Sequence, residues 1–126
     1  MMPIVVIAGL AIINNATPEK LNNDMKSAGL FNINRPTVVE FMSPSCMACI
    51  YSRPTVLAMK DKFINDVDFI TINVKNSEAM DLILKYKVRS TPTFIMFSSE
   101  GKEETRFSGL ARSKIMQESI EMILKN

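Results

Sequence analysis

The sequence predicts an α/β fold with a mixed central β-sheet flanked by helices on both faces. Apolar runs typical of buried strands alternate with helical patterns over most of the 126 residues. Strands that alternate with helices pair in parallel through crossover connections. Two strand-like runs near the end are separated only by the turn "SSEG", which predicts an antiparallel hairpin. The length suits one domain, and we assign residues 1–126 to it.

The predicted order of elements is β-α-β-α-β-α-β-β-α. The opening apolar run, with Ile and Val at residues 4–7, reads as a buried strand, and residues 17–29 as a helix capped by Thr17. The run is shorter than the roughly 20 apolar residues of a membrane span and lacks the positive residues of a secretory signal. A degenerate or truncated signal remains an alternative. We expect a cytoplasmic protein that is not membrane-bound.

The remaining elements follow from apolar runs and helical periodicity. Strands are predicted at 36–43, 67–74, 93–97 and 104–109, and helices at 46–64, 77–86 and 112–125. Pro54 lies inside the first of these helices and should kink it. Helical spacing predicts the inward-facing residues as Ile50, Leu57, Ile64, Met59 and Phe63, then Met80, Ile83 and Leu84, and finally Ile115, Met116, Ile120, Ile123 and Leu124.

Composition excludes several classes of function. Acidic and basic residues are scattered and give a net charge of only +2, so a nucleic-acid partner is not expected. The chain has no histidine, which removes His-based zinc sites, Cys-His proteases and Ser-His-Asp hydrolases.

The two cysteines of the chain, Cys46 and Cys49, lie within one helical turn, and three uses compete. As a structural disulfide they would close a very short loop, which stabilises least. As metal ligands they would supply two of about four needed, so a metal centre would require a dimer. As a redox dithiol they are well placed, because Cys46 would begin a helix after a buried strand, where the helix dipole favours a thiolate. Cys46 would then attack a disulfide and Cys49 would resolve the intermediate.

Three segments resemble the thioredoxin family. "VVEFMSPSCMACIYSRP" resembles its strand–CxxC–helix segment, including the proline after the cysteines, here Pro54. "KYKVRSTPTFIMF" resembles the segment with its cis-proline, here Pro92, and "SGL" resembles the glycine turn before its last helix. The match covers roughly residues 36–124, whereas the first 35 residues match only as strand followed by helix.

The resemblance implies a thioredoxin-like thiol–disulfide oxidoreductase that reduces protein disulfides. Glu40 stands at the position of the family's buried acid and would manage the proton of Cys49. The Thr91–Pro92 bond would be cis, and the substrate chain would contact Thr91, Pro92, Met47, Ala48, Ser90 and Gly109, with Ser45 and Val74 nearby. No cofactor beyond the dithiol is implied, and a separate reductase would reduce the Cys46–Cys49 disulfide back to the dithiol. We expect the protein to be a monomer.

The chain also departs from the family pattern. Met-Ala stands between the cysteines where thioredoxins usually carry Gly-Pro, and the flanking tryptophans are absent. Thr71 replaces a lysine usually found near the buried acid. The direction of the reaction therefore stays open: an oxidase or isomerase in an oxidising compartment and a non-catalytic redox-sensing module remain alternatives.

Overall fold

The computed structural model describes residues 35–125, so the strand and helix predicted before residue 35 lie outside the described residues. The elements are β1 (Thr37–Met42), α1 (Met47–Lys62), β2 (Asp68–Asn73), a 3-10 turn (Ser77–Ala79), α2 (Met80–Lys85), β3 (Thr93–Phe97), β4 (Glu103–Ser108) and α3 (Ser113–Leu124). Each predicted element in this range is present within a few residues of its predicted ends. α1 continues through Pro54.

The four described strands form one mixed sheet in the order β2-β1-β3-β4. β1 pairs in parallel with β2, with Thr37 opposite Asp68, while β1–β3 and β3–β4 are antiparallel. Sequence reasoning predicted this combination of crossover and hairpin, and the thioredoxin-like fold class is confirmed. The central position of β1 matters because its carboxyl end leads directly to the cysteines.

Apolar cores lie on both faces of the sheet, because side chains alternate along β1. Val38 packs with α1 and α3 residues such as Val56 and Ile120. Val39, on the opposite face, packs with the segment around α2 that includes Leu82. Among residues 35–125, no helix is long and apolar enough to cross a membrane.

The prediction of which α1 side chains face inward was wrong for three residues. Ile50, Leu57 and Ile64 are 49%, 54% and 61% exposed. The buried face instead carries Cys49, Ser52, Val56 and Met59, with Phe63 directly after the helix. A buried serine on this face hides the apolar periodicity, since sequence patterns count Ser as a surface residue.

The other two helices show smaller corrections. Met80 and Leu84 are exposed whereas Ala79 and Leu82 are buried, because the segment starts as a tighter 3-10 turn that rotates the following residues. In α3, Met116, Ile120 and Ile123 are buried as predicted, but Ile115 and Leu124 at the edges of the stripe are partly exposed.

Candidate active site

The end of β1 and a short turn place Cys46 at the amino end of α1. The backbone N–H of Cys46 donates to the carbonyl of Ser43 at 3.1 Å and closes the turn. Cys46 has an extended backbone and is the N-cap of the helix, since its Sγ accepts a hydrogen bond from the N–H of Cys49 at 3.1 Å. A sulfur in this position meets free N–H groups and the positive end of the helix dipole, which favour a thiolate.

The two cysteines differ in access to solvent. Cys46 is half-buried, whereas Cys49 is 4% exposed, and both are free thiols. The Cys46 Sγ also lies 3.4 Å from the carbonyl oxygen of Thr91, which accepts a hydrogen bond from the protonated thiol. An incoming disulfide can therefore reach Cys46 more readily than the buried Cys49.

The surroundings shift the two thiol pKa values in opposite directions. Burial by itself raises the pKa of Cys46, but hydrogen bonds from the Cys49 thiol, the Thr91 side chain and the N–H groups of Cys49 and Ala48 outweigh it and lower the pKa. Burial, and then the hydrogen bond to Cys46, raise the pKa of Cys49. These directions make Cys46 the better candidate for the nucleophile, and Cys49 would need a base before it could act.

The second wall of the site is the loop before β3. The Thr91–Pro92 peptide bond is cis, as predicted. Gly109 has a φ of +96° and donates its N–H to the carbonyl of Pro92 at 2.9 Å, which joins the two predicted substrate-contacting segments. Of the other predicted substrate contacts, Met47 and Ser90 are exposed and Ala48 is half-buried. A role for these residues in substrate binding stays a prediction.

A surface groove continues from Thr91, and sequence reasoning named only Val74, Ser90 and Thr91 from its lining as site residues. It is lined by Val74, Ile83, Val88, Arg89, Ser90 and Thr91 and has a volume of about 370 Å³. The chain turns back after α2, where the N–H of Val88 donates to the carbonyl of Ile83 at 3.0 Å, and Val74 joins this turn from the end of β2.

Glu40 is the buried acid that was predicted beneath the cysteines. It is 8% exposed, on the sheet face covered by α1, and burial raises its pKa in the expected direction. Arg53, the hydroxyl of Thr71 and Lys60 each oppose this rise. No described contact joins Glu40 directly to Cys49, so a proton between them would have to pass through water.

Ser52, which sequence reasoning did not single out, connects α1 to the loop before α3. Its buried hydroxyl donates to the carbonyl of Ala48 at 2.6 Å and accepts the N–H of Ala111 at 2.8 Å. The hydrogen bond from Ala111 to Ser52 spans 59 positions of the sequence. It links α1, which begins at the two cysteines, to the loop before α3.

We expect Ser52→Ala to lower the free energy of unfolding by about 1–3 kcal/mol, because the buried N–H of Ala111 loses its acceptor. Urea unfolding measures the loss. Ser113→Ala, on the exposed surface of α3, is the matched control and should change stability by less than about 0.5 kcal/mol. Equal losses in the two variants would show that the Ser52 bond contributes nothing specific.

Comparison with known proteins gives a consistent result. A family model described as "Thioredoxin" matches residues 15–122. Among solved structures, that of Fasciola hepatica thioredoxin is similar, with a TM-score of 0.65 and 30% sequence identity over 82% of this chain and 90% of that one.

Two curated relatives are longer than this chain. The thiol:disulfide interchange protein TxlA homolog of Synechocystis sp. is 27% identical over 86 residues, which are 68% of this chain and 48% of that protein. The chloroplastic thioredoxin-like protein HCF164 of Oryza sativa subsp. japonica is 31% identical over 97 residues, or 75% of this chain and 33% of that protein. The chain thus spans about a third to a half of their length.

Proposed function

The chain belongs to the thioredoxin family, and from this premise we propose that it is a thiol–disulfide oxidoreductase that reduces protein disulfides through Cys46 and Cys49. The observation that carries the proposal is the geometry of the helix start: the sulfur of Cys46 caps α1, is accessible and has a lowered pKa, with the buried Cys49 thiol beside it. The names of the relatives, which include thioredoxins and a thiol:disulfide interchange protein, support it.

The reaction proceeds in two exchanges. In the first, the Cys46 thiolate attacks one sulfur of the substrate disulfide; a Cys46–substrate disulfide forms, and the other substrate sulfur leaves as a thiolate that takes a proton from solvent. In the second, Cys49 loses its proton and attacks the Cys46 sulfur, which releases the second substrate thiolate. Two electrons have passed to the substrate, and Cys46 and Cys49 form a disulfide that a separate reductase or thiol must reduce.

Other residues support these steps. We assign to Glu40 the role of accepting the proton of Cys49 through water, because burial raises the pKa of its carboxyl and so favours the uptake of a proton. The substrate chain lies along Thr91 and Pro92, with Met47, Ala48, Ser90 and Gly109 around it. Met47, 58% exposed and flexible, suits partners of varied shape.

The dithiol needs no further cofactor in this scheme. Among residues 35–125 no group of three or more His, Cys, Asp or Glu side chains is arranged to hold a metal ion. We propose that the protein acts in the cytoplasm, because a reducing compartment keeps thiols such as these reduced between turnovers. We also propose that it acts as a monomer.

Turnover with a protein disulfide tests the proposed function. With insulin as substrate and excess dithiothreitol as reductant, we expect each molecule to reduce many disulfides, and we expect the rate to exceed that of dithiothreitol alone. A protein that exchanges once and then stops would be a redox-sensing module. Precipitation of the reduced insulin chains, followed as turbidity against dithiothreitol alone, distinguishes the two outcomes.

A further inference from the structure

A cavity of about 90 Å³ lies between α1 and the β1–β2 side of the sheet. Glu40 from β1, Thr71 from β2, and Arg53 and Lys60 from α1 supply its polar lining, and the rest of the lining is apolar. A space of this size holds several water molecules, and a polar lining gives them hydrogen-bond partners. Glu40 therefore borders a small cavity that has room for water rather than a fully packed core.

The position of Glu40 is costly for a negative charge. Its side chain is largely removed from solvent, and burial is the largest influence on its pKa, which it raises. Thr71 lies opposite Glu40 in the sheet and its hydroxyl bonds to the carboxyl, but a hydroxyl has no charge. Positive charges close to Glu40 oppose this rise in pKa and favour the carboxylate.

Two such charges line the cavity from the helix. Arg53 and Lys60 are seven residues apart, about two turns, and so lie on the same side of α1. Among residues 35–125, neither forms an ion pair within 4.0 Å. The lining contributed by β1, β2 and β3 adds no other charged group to this chamber. Both cations lie on the exposed side of α1, and both favour the Glu40 carboxylate.

We propose that Arg53 and Lys60 are positioning residues that set, across the cavity, the pH at which Glu40 gives up its proton, and hence the pH range in which it can accept the proton of Cys49. The effect of the two cations on the ionisation of Glu40 can be tested by itself. The link to the proton of Cys49 rests on the proposed function. The step is a proton transfer: the Cys49 thiol gives a proton to the Glu40 carboxylate through cavity water, and Glu40 later returns it to solvent.

The direct test is a titration of the Glu40 side-chain carboxyl by carbon-13 NMR in the reduced protein, with the signal assigned through Glu40→Gln. We expect Arg53→Gln and Lys60→Gln each to move the midpoint to higher pH, and the double variant to move it furthest. Arg53→Lys keeps the charge and should stay near the parent value. Lys62→Gln is the matched control, because Lys62 is on the same helix but bonds to Gln117 away from the cavity.

A midpoint in the double variant equal to that of Lys62→Gln would overturn the inference. The rate of Cys49 attack on a preformed Cys46 mixed disulfide, measured against pH, separates the two proposals. If the midpoint and this rate profile move together to higher pH, both stand. If the midpoint moves while the profile does not, the cations act as proposed but Glu40 is not the base for Cys49. If turnover requires Glu40 but its titration midpoint is unchanged in the Arg53 and Lys60 variants, the proposed function stands and this inference fails.

Discussion

Replacing Cys46 with serine should lower kcat/KM for protein disulfides by more than about 10³-fold, to the rate of the reductant alone. A serine hydroxyl in this position stays protonated and cannot form a mixed disulfide, so the first exchange does not occur. The N-cap hydrogen bond can persist, because a serine oxygen also accepts the N–H of Cys49. The loss would thus be chemical rather than structural.

The insulin turnover assay measures this loss, and far-UV circular dichroism checks that Cys46→Ser remains folded. Alkylation of the parent protein against pH gives an independent reading: Cys46 should react as a thiolate at lower pH than an ordinary cysteine, because its pKa is lowered. A Cys46→Ser variant that keeps more than about a tenth of the parent rate would exclude Cys46 as the nucleophile.

Replacing Cys49 with serine should leave the first exchange intact and stop the second, so that multiple turnover falls by more than about 10²-fold. Cys46 still attacks the substrate, but no buried thiol remains to attack the resulting Cys46–substrate disulfide. The protein should accumulate as a stable adduct, formed in one equivalent. Intact-mass spectrometry without reductant detects the added mass of the substrate.

Two controls complete the Cys49 experiment. Cys46→Ser/Cys49→Ser should form no adduct, and dithiothreitol should release the substrate from the single variant. An adduct that resolves at the parent rate in Cys49→Ser would mean that a substrate thiol or external reductant, rather than Cys49, completes the reaction.

Local sequence signals were sufficient to predict the position of Cys46 and Cys49 at the start of a helix, because the elements that place them are contiguous. A buried strand, a turn and a helix that begins at Cys46 occupy one short stretch, and the structure reproduces this arrangement. The burial of Glu40 could also be predicted, because Val38, Val39 and Phe41 surround it in a central strand. The cis bond before Pro92 came from the family resemblance and not from local physics.

Features that depend on contacts between distant segments could not be predicted. The hydrogen bond between Ser52 and Ala111 explains why the buried face of α1 contains a serine and why the apolar stripe of Ile50, Leu57 and Ile64 was misassigned to the core. The arrangement of Arg53 and Lys60 around Glu40 likewise appears only when α1 packs on the sheet. The sequence showed that Thr71 replaces the lysine usually found near the buried acid. It did not show that positive charges reach Glu40 from α1 instead.

The reduction potential of the Cys46–Cys49 pair tests the central claim most directly. Equilibration in buffers of defined thiol and disulfide ratio, with Cys46→Ser as the blank, should give a two-electron couple near the roughly −270 mV of thioredoxin, as a protein-disulfide reductant requires. A potential above about −200 mV would instead indicate an oxidase or isomerase, and a pair that does not exchange at all would contradict the proposed enzyme.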